Sequence, residues 1–174
     1  MAGCVHVYCG DGKGKTTASI GLAVRAAGRK KQVVIVRFLK TDDSGEVPVL
    51  RSIPEICILP CEKSFGFFFN MTEEQKKEAA AYYDSLLTLA FDTAKDKDAD
   101  LLILDEIMAS CNYGLVSEKK LLSLIEGRPE KLEVVLTGRN PSEKILETAD
   151  YVSEICKKKH PFDVGIQARE GIEY

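Results

Sequence analysis

The chain has 174 residues and a mass of 19.2 kDa, a size that suits one domain, so we treat residues 1–174 as a single unit. With 45% hydrophobic and 29% charged residues it is no disordered tail, and a net charge of −3 argues against binding nucleic acid through a broad basic face. No apolar run approaches the roughly 20 residues that span a bilayer, and the first residues do not resemble a signal peptide. We therefore predict a cytoplasmic protein without membrane or nucleic acid partners.

Short apolar runs typical of buried strands recur along the chain, and helical patterns lie between most of them. The predicted strands cover residues 4–9, 33–39, 56–59, 101–104, 132–136 and 151–155. Nearly continuous apolar runs fit strands that are covered on both faces. The sequence therefore predicts an α/β fold with a doubly wound, mostly parallel sheet of about six strands and helices on both faces.

Helices are predicted at residues 15–27, 72–94, 117–126 and 141–148. Gly28 follows the first helix and tolerates the left-handed conformation common beyond a helix C-terminus. Thr72 and Gln75 form a capping-box pattern at the start of the longest helix. Asn140 is the predicted N-cap of the last helix, with Pro141 in its first position.

Two stretches, residues 41–51 and 62–71, break this alternation and are predicted to be irregular. The second contains a run of phenylalanines, namely Phe65, Phe67, Phe68 and Phe69. Both follow predicted strands, and ligands of open α/β sheets bind beyond the carboxyl ends of strands. We therefore expect both stretches to face a ligand, and we expect the tail, residues 160–174, to wrap the domain as ordered coil.

A glycine-rich segment directly follows the first predicted strand and opens the first predicted helix, which is the context of a phosphate-binding loop. Its glycines let backbone N–H groups converge on phosphate oxygens, Lys15 reaches between phosphates, and Thr16 can bind Mg²⁺. The alternative is a glycine-rich turn that only caps the helix. Cys9 stands where the GxxxxGKT pattern has its first glycine, so the loop is in an unusual register. The predicted phosphate-binding residues are Gly10, Asp11, Gly12, Lys13, Gly14, Lys15, Thr16 and Thr17.

Charged residues follow two further strands. Asp105 and Glu106 end the run LLIL, where a carboxylate can bind Mg²⁺ beside the phosphate loop; the alternative is a solvated strand end. Arg139 follows the run LEVVL and is predicted to neutralise phosphates; the alternative is a surface ion pair. Together with the glycine-rich segment, these residues predict a P-loop NTPase-like domain that binds a nucleoside triphosphate and Mg²⁺, and they leave the reaction open.

The six cysteines contain no CxxC pair and are predicted to be reduced, mostly structural residues. Cys9 is the exception, because the helix N-terminus beside it favours a thiolate. We therefore predict that Cys9 is a reactive thiol.

Several segments together resemble the P-loop type of ATP:corrinoid adenosyltransferases. They are GDGKGKTTAS, RAAG, VVIVRFLK, GFFF, LDEI, LTGRNP, ADYV and KHPFDVGIQAREGIEY, and they run from Val5 to Tyr174. The resemblance implies transfer of the 5′-deoxyadenosyl group of ATP to the cobalt of cob(I)alamin, with release of tripolyphosphate. It further implies a homodimer and a flavoprotein that reduces the corrinoid.

The resemblance also assigns roles to individual residues. Lys15, Thr16, Glu106 and Arg139 form the catalytic set, in which Thr16 and Glu106 hold Mg²⁺ or Mn²⁺, and Arg25 reaches the triphosphate from the first helix. The family motif Gly-Phe-Thr-Trp, whose aromatic rings displace the lower cobalt ligand, corresponds to residues 66–69 and assigns the corrinoid to Phe67 and Phe69. Phe69 replaces the family tryptophan, and the alternative role of this segment is a lid or a dimer contact.

Two other functions remain open on the residues alone. A small-molecule kinase would transfer the γ-phosphoryl group and release ADP. A nucleotide-controlled corrinoid carrier would bind ATP and deliver adenosylated product without fast turnover. Arg37, where many family members have Gln, has no assigned role.

Overall fold

A computed structural model describes residues 2–66 and 68–173. The six strands are β1 (Val5–Cys9), β2 (Val33–Arg37), β3 (Ile56–Ile58), β4 (Leu101–Asp105), β5 (Glu133–Thr137) and β6 (Tyr151–Glu154). The α-helices are α1 (Lys15–Ala27), α2 (Glu46–Arg51), α3 (Glu73–Asp96), α4 (Ile107–Asn112), α5 (Glu118–Glu126) and α6 (Glu143–Thr148). Short 3-10 helices cover Phe68–Asn70 and Pro161–Val164.

All six strands belong to one sheet, whose spatial order is β3-β2-β4-β5-β1-β6 and whose neighbouring strands are all parallel. The carboxyl ends of β1, β2, β4 and β5 therefore lie side by side at one edge. This confirms the predicted α/β fold with a parallel sheet.

The two faces of the sheet carry separate hydrophobic clusters, because alternate residues of a strand point to opposite sides. In β2, Val33 and Ile35 pack on the face covered by α1 and α2, whereas Val34 and Val36 pack on the face covered by α3 and α5. Helices thus cover both faces, as expected for nearly continuous apolar strands.

The structure confirms the predicted start of α3 and corrects that of α6. The capping box of α3 is confirmed, since the Gln75 N–H donates to Thr72 Oγ1 and the Thr72 N–H donates to Gln75 Oε1. The predicted cap of α6 is wrong: Ser142 Oγ accepts from the Ile145 N–H, so α6 begins after Ser142 rather than after Asn140. Gly28 is right-handed, with φ −61°.

Two short helices were not predicted, α2 within the stretch 41–51 and α4 directly after β4. Each has six residues, too few for a helical periodicity to stand out. α2 contains Pro48 in its first turn, a position where a missing N–H costs no intrahelical bond. No helix within residues 2–66 and 68–173 combines the length and apolarity that crossing a membrane requires.

Candidate active site

A cavity of about 970 Å³ lies at the carboxyl edge of the sheet. It is bordered by the loops that follow β1, β2 and β4, by Arg139 after β5 and by the chain's tail. The predicted phosphate-binding residues that line it are Asp11, Gly12, Lys13, Gly14, Lys15, Thr16 and Thr17. The tail contributes His160, Gly171, Ile172 and Glu173, and it contains the 3-10 helix Pro161–Val164 where only coil is predicted.

The loop after β1 is packed against the chain that leaves β6. Gly10 has φ +102°, and a Cβ atom there would lie 2.5 Å from the Ile155 carbonyl oxygen, so only glycine fits. The Gly12 N–H donates to the same carbonyl at 2.7 Å. Asp11 Oδ1 accepts from the Lys157 N–H at 2.9 Å, and this bond lowers the pKa of the Asp11 carboxyl. The Asp11 carboxylate therefore ties the loop to the chain that leaves β6, while Asp11 also lines the cavity.

Lys15, at the first position of α1, is buried, with 7% of its surface exposed. Its Nζ donates to the Gly12 carbonyl at 2.9 Å, so the side chain folds back along the loop and lines the cavity. Burial lowers the pKa of Lys15, and the Glu106 carboxylate opposes that shift. Lys13 and Thr17 line the same cavity but are exposed.

Asp105, the last residue of β4, is fully buried and accepts three side-chain hydrogen bonds. Thr16 Oγ1 donates to its Oδ1 at 2.9 Å, and Thr137 Oγ1 donates to the same oxygen at 2.7 Å. Lys40 Nζ donates to its Oδ2 at 2.5 Å. Asp105 therefore joins the helix after β1, the end of β5 and the loop after β2.

Glu106 is the N-cap residue just before α4 and has a left-handed backbone, φ +59°. Its N–H donates to Thr137 Oγ1 at 2.9 Å. Burial, reinforced by the Asp105 charge, raises the pKa of Glu106 above the usual glutamate range. The Thr16 hydroxyl and the two neighbouring carboxylates supply the hard oxygen donors that Mg²⁺ prefers, so the residues present fit a Mg²⁺ ion. The described residues contain no group of three or more His, Cys, Asp and Glu side chains arranged to hold a metal alone.

The two predicted arginines differ in their position relative to the cavity. Arg139 lines it, and its Nη2 donates to the Asp11 carbonyl at 3.5 Å. Gly138 gives the chain φ +144° just before Arg139, where a Cβ atom would lie 2.7 Å from Met108 Cβ. Arg25 lies exposed in the last turn of α1 and does not line the cavity, so its predicted contact with the triphosphate stays a prediction.

The stretch 62–71, with its run of phenylalanines, is called the phenylalanine segment here. It begins at the cavity, where Ser64 and Gly66 are among the lining residues. Phe68 stacks on Tyr113, which follows α4, with ring centroids 4.5 Å apart and an interplanar angle of 4°. Phe69 meets the edge of the same tyrosine at 5.6 Å, and 81% of Phe69 is exposed. Phe67, the other predicted corrinoid contact, lies outside the described residues.

Arg37, at the end of β2, is a charged residue inside the core, since its side chain is 0% exposed. Its Nη2 donates to Asp42 Oδ1, and Asp42 also accepts from Arg51. The Cys61 N–H donates to Asp42 Oδ1 at 3.2 Å. This cluster ties the loop after β2, which carries Lys40, to the segments around α2 and β3.

The structure contradicts the predicted reactivity of Cys9. Cys9 is buried, with 6% exposed, and burial raises the pKa of its thiol, an effect that outweighs the nearby Lys15. A buried thiol with a raised pKa is mostly protonated and unreactive at neutral pH.

We expect iodoacetamide at pH 8 to alkylate the exposed Cys156 well before Cys9, Cys61 and Cys111, as measured by peptide mass spectrometry of the native protein. Burial raises the pKa of Cys61 to about 11 and that of Cys111 to about 12, so labelling at both should accelerate with rising pH. Labelling in guanidinium chloride, where all six thiols are accessible, is the control. Equal rates at Cys9 and Cys156 in the native protein would contradict the buried position of Cys9.

Four residues of the site have no role of their own assigned from the sequence, namely Asp105, Lys40, Thr137 and His160. Asp105 was recognised only as part of an acidic pair, and the metal was assigned to Glu106; the signal was its position at the very end of a buried strand. Lys40 ends the segment VVIVRFLK, where a lysine after a buried strand was the available signal. Thr137 and the tail residue His160 carried no distinguishing pattern.

Comparison with known proteins adds the family. The chain is 35% identical over 180 residues to the corrinoid adenosyltransferase CobA of Salmonella typhimurium, covering 99% of this chain and 86% of that protein. It is 34% identical to the corrinoid adenosyltransferase of Escherichia coli, covering 99% of this chain and 86% of that protein. With the corrinoid adenosyltransferase of Pseudomonas aeruginosa the identity is 32%, over 99% and 84% of the two chains.

Among solved structures, the KaiC-like protein PH0186 of Pyrococcus horikoshii matches with a TM-score of 0.56 at 18% identity, covering 91% of this chain and 75% of that one. That likeness supports the P-loop-like α/β fold. The family model described as ATP:corrinoid adenosyltransferase BtuR/CobO/CobP matches residues 1–174. The chain belongs to the ATP:corrinoid adenosyltransferase family.

Proposed function

We propose that this chain transfers the 5′-deoxyadenosyl group of ATP to the cobalt of a reduced corrinoid, cob(I)alamin in the simplest case, and releases tripolyphosphate. The observation that carries the proposal is the set of residues that line the cavity. The same cavity is bordered by the phosphate loop, at Lys15 and Thr16, and by the start of the phenylalanine segment, at Ser64 and Gly66. Phe68 and Phe69 follow Gly66 closely along the chain, so a triphosphate in the cavity would lie near aromatic rings, which suits a reaction that joins a nucleotide to a large, partly apolar corrinoid.

The chemistry requires charge neutralisation more than proton transfer. The cobalt(I) electron pair attacks C5′, a cobalt–carbon bond forms, the C5′–oxygen bond breaks, and its electron pair leaves with the triphosphate. Lys15 and Arg139, which both line the cavity, would neutralise the departing charge, and the buried position of Lys15 would strengthen its electrostatic effect. The reaction needs no side-chain general base, so a catalytic histidine or cysteine is not part of the proposal.

We assign Mg²⁺, or Mn²⁺ in its place, to Thr16 and Glu106, with Asp105 beside them. When bound, the ion would supply positive charge to the triphosphate oxygens. Support comes from the oxygen donor set and from the hydrogen bond between Thr16 Oγ1 and Asp105 Oδ1. The ionised form of Glu106 is the ligand, so its raised pKa favours metal binding at neutral pH over mildly acidic pH.

An anaerobic incubation with MgATP and chemically reduced cob(I)alamin tests the reaction. We expect the light-sensitive spectrum of adenosylcobalamin and stoichiometric tripolyphosphate. ADP would indicate a kinase instead, and ATP binding without either product would indicate a carrier. Either of these outcomes would contradict the proposal.

We further assign Phe69 to the corrinoid, where an exposed ring on Tyr113 can exclude water and a nitrogen ligand from the lower face of the cobalt. Phe69→Ala should slow turnover that starts from Co(II) several times more than turnover that starts from chemically prepared Co(I). Steady-state rates with the two starting oxidation states measure the difference. The control is Leu89→Ala, which removes an exposed apolar side chain on α3, away from the phenylalanine segment. Equal losses of turnover from Co(II) and from Co(I) in Phe69→Ala would contradict this role for Phe69.

The remaining proposals concern partners and location. We propose a cytoplasmic homodimer that receives its reduced corrinoid with the help of a flavoprotein. Exposed apolar side chains on the edge strand β6 and on the tail support a second copy as the partner, since a contact there would remove apolar surface from water. They are Tyr151, Val152, Phe162, Val164 and Ile166. Sedimentation velocity measures the oligomeric state.

A further inference from the structure

Lys40 is held at the position where the proposed metal site would bind a cation. Its Nζ lies 2.5 Å from Asp105 Oδ2 and 3.0 Å from Thr16 Oγ1. The side chain of Asp105 is 1% exposed and that of Lys40 is 25% exposed. Lys40, which lines the cavity, therefore contacts the buried carboxylate from the cavity side.

The backbone at the end of β2 directs Lys40 toward Asp105. Phe38 is fully buried and its N–H donates to the Asp105 carbonyl at 2.9 Å, which fixes the end of β2 against β4. Leu39 then has φ +56°, a left-handed conformation that a leucine adopts rarely. This turn sends Lys40 back across the ends of β2 and β4 rather than out into solvent.

A buried carboxylate needs a countercharge, because an unpaired charge in a low-dielectric interior is strongly unfavourable. The Lys40 ammonium supplies one positive charge to Asp105 and also bonds to the Thr16 hydroxyl. A divalent cation bound through these oxygens would meet the same requirement. The ammonium and the cation repel each other, so both cannot stay at these oxygens together.

We propose that Lys40 is an internal counter-cation that competes with the divalent metal for Thr16 and for the negative charge of Asp105, and that it leaves both when the metal–nucleotide complex binds. This inference rests on the proposed function. Lys40 is then a positioning residue: without the metal it keeps Asp105 and Thr16 in place, and it weakens metal binding in the absence of nucleotide. The metal is expected to bind well only when triphosphate oxygens add to its ligands.

The test is the affinity of Mn²⁺ for the full chain without nucleotide, measured from the electron paramagnetic resonance signal of free Mn²⁺. Lys40→Met should bind Mn²⁺ at least about tenfold more tightly than the wild type, because the competing charge is gone. The same variant should lose thermal stability and recover it on addition of Mn²⁺. Lys40→Arg keeps the charge and should behave like the wild type.

Lys31→Met is the matched control, since Lys31 Nζ lies 2.9 Å from Asp100 Oδ1 in an ion pair next to the opposite end of β4. It should leave Mn²⁺ affinity unchanged. If Lys40→Met does not fold, Lys40→Gln carries the same test. Unchanged Mn²⁺ affinity in the folded neutral variant would overturn the proposal. The measurement uses neither ATP nor corrinoid, so its failure is distinguishable from a failure of the adenosyl transfer assay.

Discussion

Lys15→Ala should reduce adenosyl transfer by about 10²–10³-fold, the range found when one preorganised donor to developing negative charge is removed. Lys15 is the buried cation of the phosphate loop, and its Nζ lies 2.9 Å from the Gly12 carbonyl, within the loop proposed to hold the triphosphate. The measurements are the rate of adenosylcobalamin formation and the affinity for ATP by calorimetry. The circular dichroism spectrum should stay that of the wild type.

Lys77→Ala is a suitable control, because Lys77 is an exposed lysine on α3 that does not line the cavity. It should leave both ATP affinity and turnover as in the wild type. Substantial ATP-dependent turnover by Lys15→Ala would contradict the assignment of residues 10–17 as the phosphate loop. It would point to a nucleotide held by the other walls of the cavity.

Asp105→Asn should reduce turnover by about 10- to 100-fold, the usual cost of losing a residue that orients metal ligands. Both oxygens of Asp105 accept hydrogen bonds, from Thr16, Thr137 and Lys40. An amide nitrogen at either oxygen position would face donors, and the amide carries no charge to pair with Lys40. We also expect a loss of about 1–3 kcal/mol in the free energy of unfolding, because buried donors lose their acceptor.

The matched control is Asp100→Asn. Asp100 lies next to the other end of β4 and, like Asp105, forms an ion pair with a lysine, in this case Lys31. That variant should keep full turnover, with a small effect on stability because its ion pair is partly exposed. Chemical denaturation and the adenosylcobalamin assay together separate the two effects. Wild-type turnover in Asp105→Asn would contradict the placement of the metal site at the end of β4.

The features that were predicted correctly are those encoded by neighbouring residues. Buried strands appear as apolar runs, and the tight turn between β1 and α1 appears as closely spaced glycines between such a run and a helix. The start of α3 is determined by a capping box between Thr72 and Gln75, which are only three residues apart. In each case the interaction that determines the structure is local, so the pattern is visible without the fold.

The network around Asp105 has a different origin. It depends on β4 lying between β2 and β5, so that Lys40, Thr16 and Thr137 converge on one carboxylate. Strand order follows from packing over the whole sheet and leaves no short pattern in the sequence. The same reason explains why the predicted reactivity of the Cys9 thiol is wrong. The sequence shows that Cys9 lies close to the start of a helix, but it does not show that β1 lies between β5 and β6, where Cys9 is buried.

The attachment of the phosphate loop to the chain beyond β6 has a consequence for affinity. Gly12 and Asp11 are bonded to Ile155 and Lys157, so the loop is ordered by folding itself. A flexible loop would lose conformational entropy each time it closed around a triphosphate, and that loss would weaken binding. In this molecule the entropy has already been lost before the nucleotide arrives. We therefore expect the residues after β6 to contribute to nucleotide affinity through the rigidity that they confer on the loop.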